Sequence, residues 1–141
     1  MAKEYENPAA TATIVVERDN KILFIRRKHA PYQGRLALPG GFLNYKKETL
    51  ERAAQRELCE ETKLRANQKD LYLLCVNSSP RRDPRDHVID HVYVALATRG
   101  EPHARDDAAE YVWKDISEIP KRLAFDHNKA VRKYLVWRES N

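Results

Sequence analysis

No apolar run in this chain approaches the roughly 20 residues that a membrane-spanning helix needs, so no transmembrane helix and no membrane partner are expected. The first residues, MAKEYENPAATATIVVE, lack the positive-then-apolar layout of a secretory signal. Two cysteines, Cys59 and Cys75, stand far apart and form no C-x-x-C pair. They read as reduced structural thiols of a cytoplasmic protein, not as a disulfide or a zinc site. His87 and His91 are four residues apart, which in a strand separates them by roughly 13 Å, so they make no zinc site either. There is no run of five like charges, no internal repeat and no low-complexity segment. A nucleic-acid tail is thereby excluded, and no aromatic-basic platform for a single strand is evident. Nucleic acid is not an expected partner.

What is present is the balance of one folded domain, read here as residues 1–141, with 42% hydrophobic and 33% charged residues. The net charge of +5 favours an anionic partner.

Thr11–Glu17 is rich in β-formers and ends at Asp19-Asn20, a tight-turn pair, with Lys21–Arg27 as the returning strand. Lys28–Gly41 holds Pro31, Gly34, Pro39, Gly40 and Gly41 and reads mostly as loop. Glu48–Thr62 contains no Gly or Pro and is the clearest helix. Leu71–Val76 reads as a buried strand, Asn77–Asp86 as a polar loop, and Val88–Ala97 as a long strand. Gly100–Asp107 is loop and Glu110–Lys114 a short strand. Asp126 is the expected N-cap of a last helix reaching about Trp137. This order gives an α/β (α+β) domain, a mixed sheet with helices packed on it.

The informative stretch is GGFLNYKKE at Gly40–Glu48, running on to RELCEET at Arg56–Thr62. On a helix, Glu57, Glu60 and Glu61 share one face. Leu50, Ala53, Ala54 and Leu64 fall on that face too, so three carboxylates interrupt an apolar stripe. Like charges held partly out of water cost several kcal/mol each unless neutralised. A divalent cation would neutralise them, and all-oxygen ligands select a hard ion.

Gly41–Leu64 resembles the Nudix box: G, five residues, E, seven residues, then R-E-U-x-E-E-x-G-U, with U aliphatic. Two departures stand out. Six residues, not five, separate Gly41 from Glu48, and Lys63 occupies the position of the family glycine. The resemblance implies a Nudix-type α/β/α sandwich with a mixed β-sheet and a magnesium- or manganese-dependent hydrolase of nucleoside diphosphate derivatives. It implies metal binding by Glu57, Glu60 and Glu61 and the backbone carbonyl of Gly40. It also implies structural roles for Gly41 and for an Arg56–Glu48 salt bridge. For the general base it offers Glu61, Glu60, or Glu110 ahead of Trp113.

Three further stretches, Arg26–Gly41, Ser79–Arg85 and Leu123–His127, resemble the ADP-ribose pyrophosphatase subgroup, and with the box the likeness spans about residues 11–136. Leu36 departs from an aromatic residue common there. Candidate substrate contacts are Arg27, Arg82 and Arg85, which would grip phosphate or ribose oxygens, and Tyr32, which would stack on a base. The alternatives are a Nudix hydrolase of a dinucleoside polyphosphate, an oxidised nucleoside triphosphate or a capped RNA, or a non-catalytic nucleotide-sensing module. The family often dimerises, so a homodimer is expected.

Overall fold

The computed structural model describes residues 4–103 and 110–141. In chain order the strands are β1 (Ala9–Val15), β2 (Glu17–Arg18), β3 (Lys21–Arg26), β4 (Leu36–Ala37), β5 (Gly40–Phe42), β6 (Leu71–Asn77), β7 (Val88–Ala95) and β8 (Tyr111–Asp115). Helix α1 (Leu50–Thr62) lies between β5 and β6, and α2 (His127–Glu139) follows β8. One sheet has the order β5-β1-β7-β6, with β1 and β7 parallel and the other pairs antiparallel. In the second, β3 pairs with β8 along one edge and with β2 and β4 at the two ends of the other.

Successive side chains of a strand point to opposite faces, and β1 feeds two cores in this way. Ala12 and Ile14 pack with Ala53, Ala54 and Leu58 of α1. Val15 packs with Ala130, Val131 and Tyr134 of α2. β3 divides likewise, Leu23 toward α1, Ile22 and Phe24 toward α2. The sheets are therefore covered by one helix on each side, the mixed-sheet α+β sandwich expected from the sequence. No helix among the described residues is long and apolar enough to cross a membrane.

Asp19 and Asn20 both have positive φ (50° and 62°), as a two-residue hairpin turn of this hand requires. Inside the segment read as loop, β4 and β5 form after all, because they borrow their pairing from β3 and β1. β6 is not buried: it is an edge strand with a register shift between Leu73 and Cys75, and Tyr72, Leu73 and Val76 are exposed. The loop read at Gly100–Asp107 lies partly outside the described residues.

Helix α1 starts two residues later than its composition suggests. Thr49 is the N-cap, its hydroxyl accepting from the Arg52 N–H at 3.2 Å. The buried stripe is Ala53, Ala54, Leu58 and Thr62; Glu57 and Glu61 fall between Ala53 and Ala54 around the helix and interrupt it, whereas Glu60 lies at its exposed margin. The helix ends at Lys63 in the left-handed region (φ 68°), its N–H donating to the Cys59 carbonyl at 2.9 Å. A side chain there costs about 1 kcal/mol. Lys63→Gly should therefore raise the melting temperature by about 3 °C and leave kcat within a few-fold. Differential scanning calorimetry checks this, and a clear loss of stability would mean that the Lys63 side chain contributes more than its backbone strain removes.

Candidate active site

The site is built where β5 crosses beneath α1. Thr13 pairs with Gly40 and Ala12 with Gly41. A Cβ on Gly40 would lie 2.4 Å from the Ala12 carbonyl oxygen, so this position brings two backbones together. A Cβ on Gly41 would instead lie 2.4 Å from both Cδ and Oε1 of Glu57. The space left by its missing side chain is occupied by a carboxylate.

Arg56 organises that helix face. Its guanidinium forks onto Glu48, Nε to Oε2 at 3.0 Å and Nη2 to Oε1 at 2.7 Å. Nη2 also donates to the Phe42 carbonyl at 3.0 Å, and Nη1 to Glu57 at 2.8 Å and Glu60 at 3.2 Å. These hydrogen bonds push the Arg56 pKa up, Glu48 contributing most, and Arg56 in turn holds Glu48 below the usual carboxylate range. The extra residue before Glu48 is absorbed by a turn. Lys46 takes a positive φ of 63°, the Lys47 N–H donates to the Asn44 carbonyl, and the Asn44 N–H donates to Glu48 at 2.9 Å. The insertion thus leaves Glu48 where Arg56 can reach it.

Glu57 and Glu61 lie side by side. Glu61 Oε1 accepts from the Gly40 N–H at 3.0 Å. Burial above all, then the Glu57 charge, pushes its pKa up to about 8 against the Gly40 hydrogen bond. Burial likewise raises Glu57, against its hydrogen bond from Arg56. Two neighbouring carboxylates whose charges are both disfavoured, with a backbone carbonyl one residue away, form a donor set suited to a hard divalent cation. Among the described residues no three acidic, histidine or cysteine side chains are already gathered as a ligand cluster. Glu60 is the member left aside: its side chain is 44% exposed and joined to the others through Arg56.

Glu61 also lines a cavity of about 200 Å³ that runs from Gly40 and Gly41 to His127, the first residue of α2. Of the predicted substrate contacts, Arg27, Arg82 and Arg85 line it and Tyr32 does not. Tyr32 packs edge-on against Phe125 at 5.0 Å, with the Arg35 guanidinium 5.2 Å from its ring centroid, so it supports the wall from behind. Arg82 is buried and forks onto Asp126 at 3.0 and 2.7 Å. Burial works against its charge, but Asp126 and Asp90 outweigh it and the pKa is raised. Arg82 is therefore an internal strut, and Asp126 makes no side-chain cap to α2 because it serves Arg82 instead. Arg85 forks onto Asp83 at 3.0 and 2.7 Å and sits between two rings, 4.9 Å from the Phe42 centroid and 5.4 Å from Phe125. Arg27 has its pKa lowered by burial and by Arg85; it donates to the Pro31 carbonyl at 2.7 Å and stands 4.9 Å from the Phe125 centroid.

Glu110 is not brought to the cavity. The register of β8 on β3 sets it beside Arg26, with which it makes an exposed ion pair at 3.2 Å. The wall also holds a polar group that no motif marks: Thr13, Asp90 and His127, all buried, with the half-buried Thr11. Thr11 and Thr13 donate to Asp90 Oδ1 at 2.8 and 2.7 Å. The Leu38 N–H donates to His127 Nδ1 at 3.0 Å, which places the ring proton on Nε2, and burial lowers the pKa of the imidazole. One signal was available: Asp90 is an acidic residue at a buried position of the apolar strand VIDHVYVA.

Known proteins resemble this chain over most of its length. The family described as NUDIX domain matches residues 6–134. The ADP-ribose pyrophosphatase of Methanocaldococcus jannaschii is 47% identical over 134 residues, 95% of this chain and 77% of that protein. A MutT/nudix family protein from Enterococcus faecalis superposes with a TM-score of 0.83 at 32% identity, over 94% of this chain and 62% of that one. This chain thus spans less than two thirds of the Enterococcus protein. The NUDIX domain of Shewanella oneidensis NrtR, solved with ADP ribose, superposes with a TM-score of 0.78 at 25% identity, over 92% of this chain and 88% of that one.

Proposed function

The chain belongs to the NUDIX domain family, and from that premise we propose that it is a divalent-metal-dependent hydrolase that splits ADP-ribose and water into AMP and ribose 5-phosphate. The observation that carries the reading is the Glu57–Glu61 carboxyl pair seated on Gly40 and Gly41, at one end of a cavity bordered by the cations Arg27 and Arg85. The relative from Methanocaldococcus, an ADP-ribose pyrophosphatase, supports the choice of substrate.

Glu57, Glu61 and the Gly40 carbonyl are the proposed ligands of magnesium or manganese, with Glu60 completing the set once it leaves Arg56. The bound cation would lower the pKa of the attacking water and offset charge on the phosphate oxygens. Arg56 holds Glu57 in place through its own fork to Glu48. The Gly40 N–H fixes one oxygen of Glu61 and leaves the other to take a proton or meet the cation. Glu61 is the proposed general base, since Glu110 lies outside the cavity lining. Arg85 and Arg27 place positive charge where the diphosphate would lie, and the Phe42 and Phe125 rings supply flat apolar surface beside them.

Steady-state assays with magnesium test the substrate. ADP-ribose should be cleaved with kcat/KM at least about tenfold above diadenosine tetraphosphate or any nucleoside triphosphate, a difference of about 1.4 kcal/mol that one arginine contact can supply. Faster turnover of a nucleoside triphosphate would sink the substrate assignment and leave the family standing.

A further inference from the structure

Asp90 is 1% exposed and belongs to the cavity wall, yet only one of its oxygens is satisfied. Oδ1 accepts from the two threonine hydroxyls, which fix the carboxylate and its orientation. Oδ2 has no hydrogen-bond partner. The nearest cation, Arg82 Nη2, is 3.6 Å away, beyond hydrogen-bond reach, and is already forked onto Asp126. Buried acceptors are almost always paired in native proteins; Oδ2 is unpaired and sealed from solvent, so a donor reaches it by displacing part of the cavity wall. Asn77, paired with Asp90 across β6 and β7, has an unpartnered Nδ2 as well.

We propose that Asp90 is a specificity-determining residue whose Oδ2 accepts a hydrogen bond from a sugar hydroxyl of the substrate. The inference rests on the reading of this cavity as the substrate site. A phosphate is excluded at Oδ2 because like charges repel, and a cationic donor would meet Arg82. Reach selects the sugar. Asp90, Thr11 and Phe42 lie in one row across β7, β1 and β5, so Asp90 is roughly 10 Å of sheet from the strand that seats Glu57 and Glu61. The sugar bonded to the diphosphate falls within that reach, and a base lies further along the substrate.

Asp90→Asn keeps the shape and the threonine contacts and presents an NH2 in place of Oδ2. Wild type and variant are compared on ADP-ribose, on two analogues lacking the 2- and 3-hydroxyls of one sugar or the other, and on the inosine analogue. Asp90→Asn should lower kcat/KM for ADP-ribose at least tenfold. One sugar-stripped analogue should already be that much poorer with wild type and lose nothing further in the variant. If the inosine analogue is the insensitive compound, the donor is the base amine and the sugar assignment is overturned. Equal losses on all four compounds, or none, overturn the proposal, as expected if a water shared with Asn77 fills the gap. Should Asp90→Asn lower the unfolding midpoint, Thr11→Val, which removes one hydroxyl holding Asp90, must concentrate its loss on the same compound. Calorimetric affinities for the four compounds, with calcium replacing magnesium, repeat the comparison without turnover. Binding without any hydrolysis by wild type would sink the diphosphatase reading alone, whereas equal wild-type affinity for all four would sink the Asp90 inference alone.

Discussion

Glu61→Gln should lose at least about 100-fold in kcat, the scale of a lost charge-stabilising or metal-binding group, while the metal-free protein becomes more stable at neutral and alkaline pH. Both halves follow from one placement. Glu61 sits in the cavity wall against Gly40, with Glu57 beside it, and its pKa is pushed up to about 8 from an ordinary 4.5. A carboxyl raised in the folded state favours the acid form there. Its ionisation costs nothing below about pH 4.5, costs progressively more as the pH rises, and reaches its full penalty above about pH 8. The metal-free wild type should therefore lose stability between those limits, and Glu57, raised by burial in the same direction, adds to the loss. Glutamine carries no such penalty, so the variant's melting temperature should vary less with pH. A divalent cation neutralises the pair and should restore wild-type stability at pH 8 while doing little for Glu61→Gln. Melting curves from pH 5 to 9, with chelator and with magnesium, measure this. Near-full activity of Glu61→Gln, or turnover untouched by chelator, would remove the basis for a metal-dependent hydrolase at this site.

The same placement shows which parts of the molecule were legible in the sequence. The helix carrying Glu57 and Glu61 could be read because its composition is purely local: no Gly or Pro, strong helix formers, and carboxylates at helical spacing. The Asp19-Asn20 hairpin could be read because its turn chemistry is local too. β4 and β5 look like loop in the sequence because they are two and three residues long and exist only through pairing with β3 and β1, which no local pattern encodes. Arg82 and Arg85 look alike in the sequence, both in the Asn77–Asp86 loop of five charged residues and two prolines. The structure gives them different tasks, because Arg82 meets Asp126, distant by 44 positions, and Arg85 meets Asp83 next door. Glu110 stands out in the sequence for its position before Trp113, but strand register, not sequence distance, decides what it faces. Asp90 depends on three strands lying side by side, so only the odd acidic residue in an apolar strand hinted at it.

Gly40 and Gly41 are adjacent and look equivalent in the sequence, yet alanine at each should fail differently. At Gly40 the added Cβ would lie 2.4 Å from the Ala12 carbonyl oxygen and 2.9 Å from Thr13 Cα. Backbone cannot rotate away, so β5 must separate from β1. Overpacking of this kind costs about 1–3 kcal/mol, a fall of several degrees in melting temperature, and it also shifts the N–H that holds Glu61. At Gly41 the added Cβ would meet Cδ and both oxygens of Glu57 at 2.4 to 2.6 Å. These atoms end a flexible side chain, so the fold can give way cheaply, but only by moving a proposed metal ligand off the position where Arg56 holds it. Gly41→Ala should therefore keep its melting temperature close to wild type and lose at least about tenfold in kcat, with weaker magnesium activation, in line with the loss of a correctly placed charge. Gly40→Ala should lose stability and activity together. Melting curves and magnesium titrations of the two variants decide the matter. Full activity in Gly41→Ala would show that Glu57 does not need the space beside Gly41, and that the cation, if any, is held elsewhere.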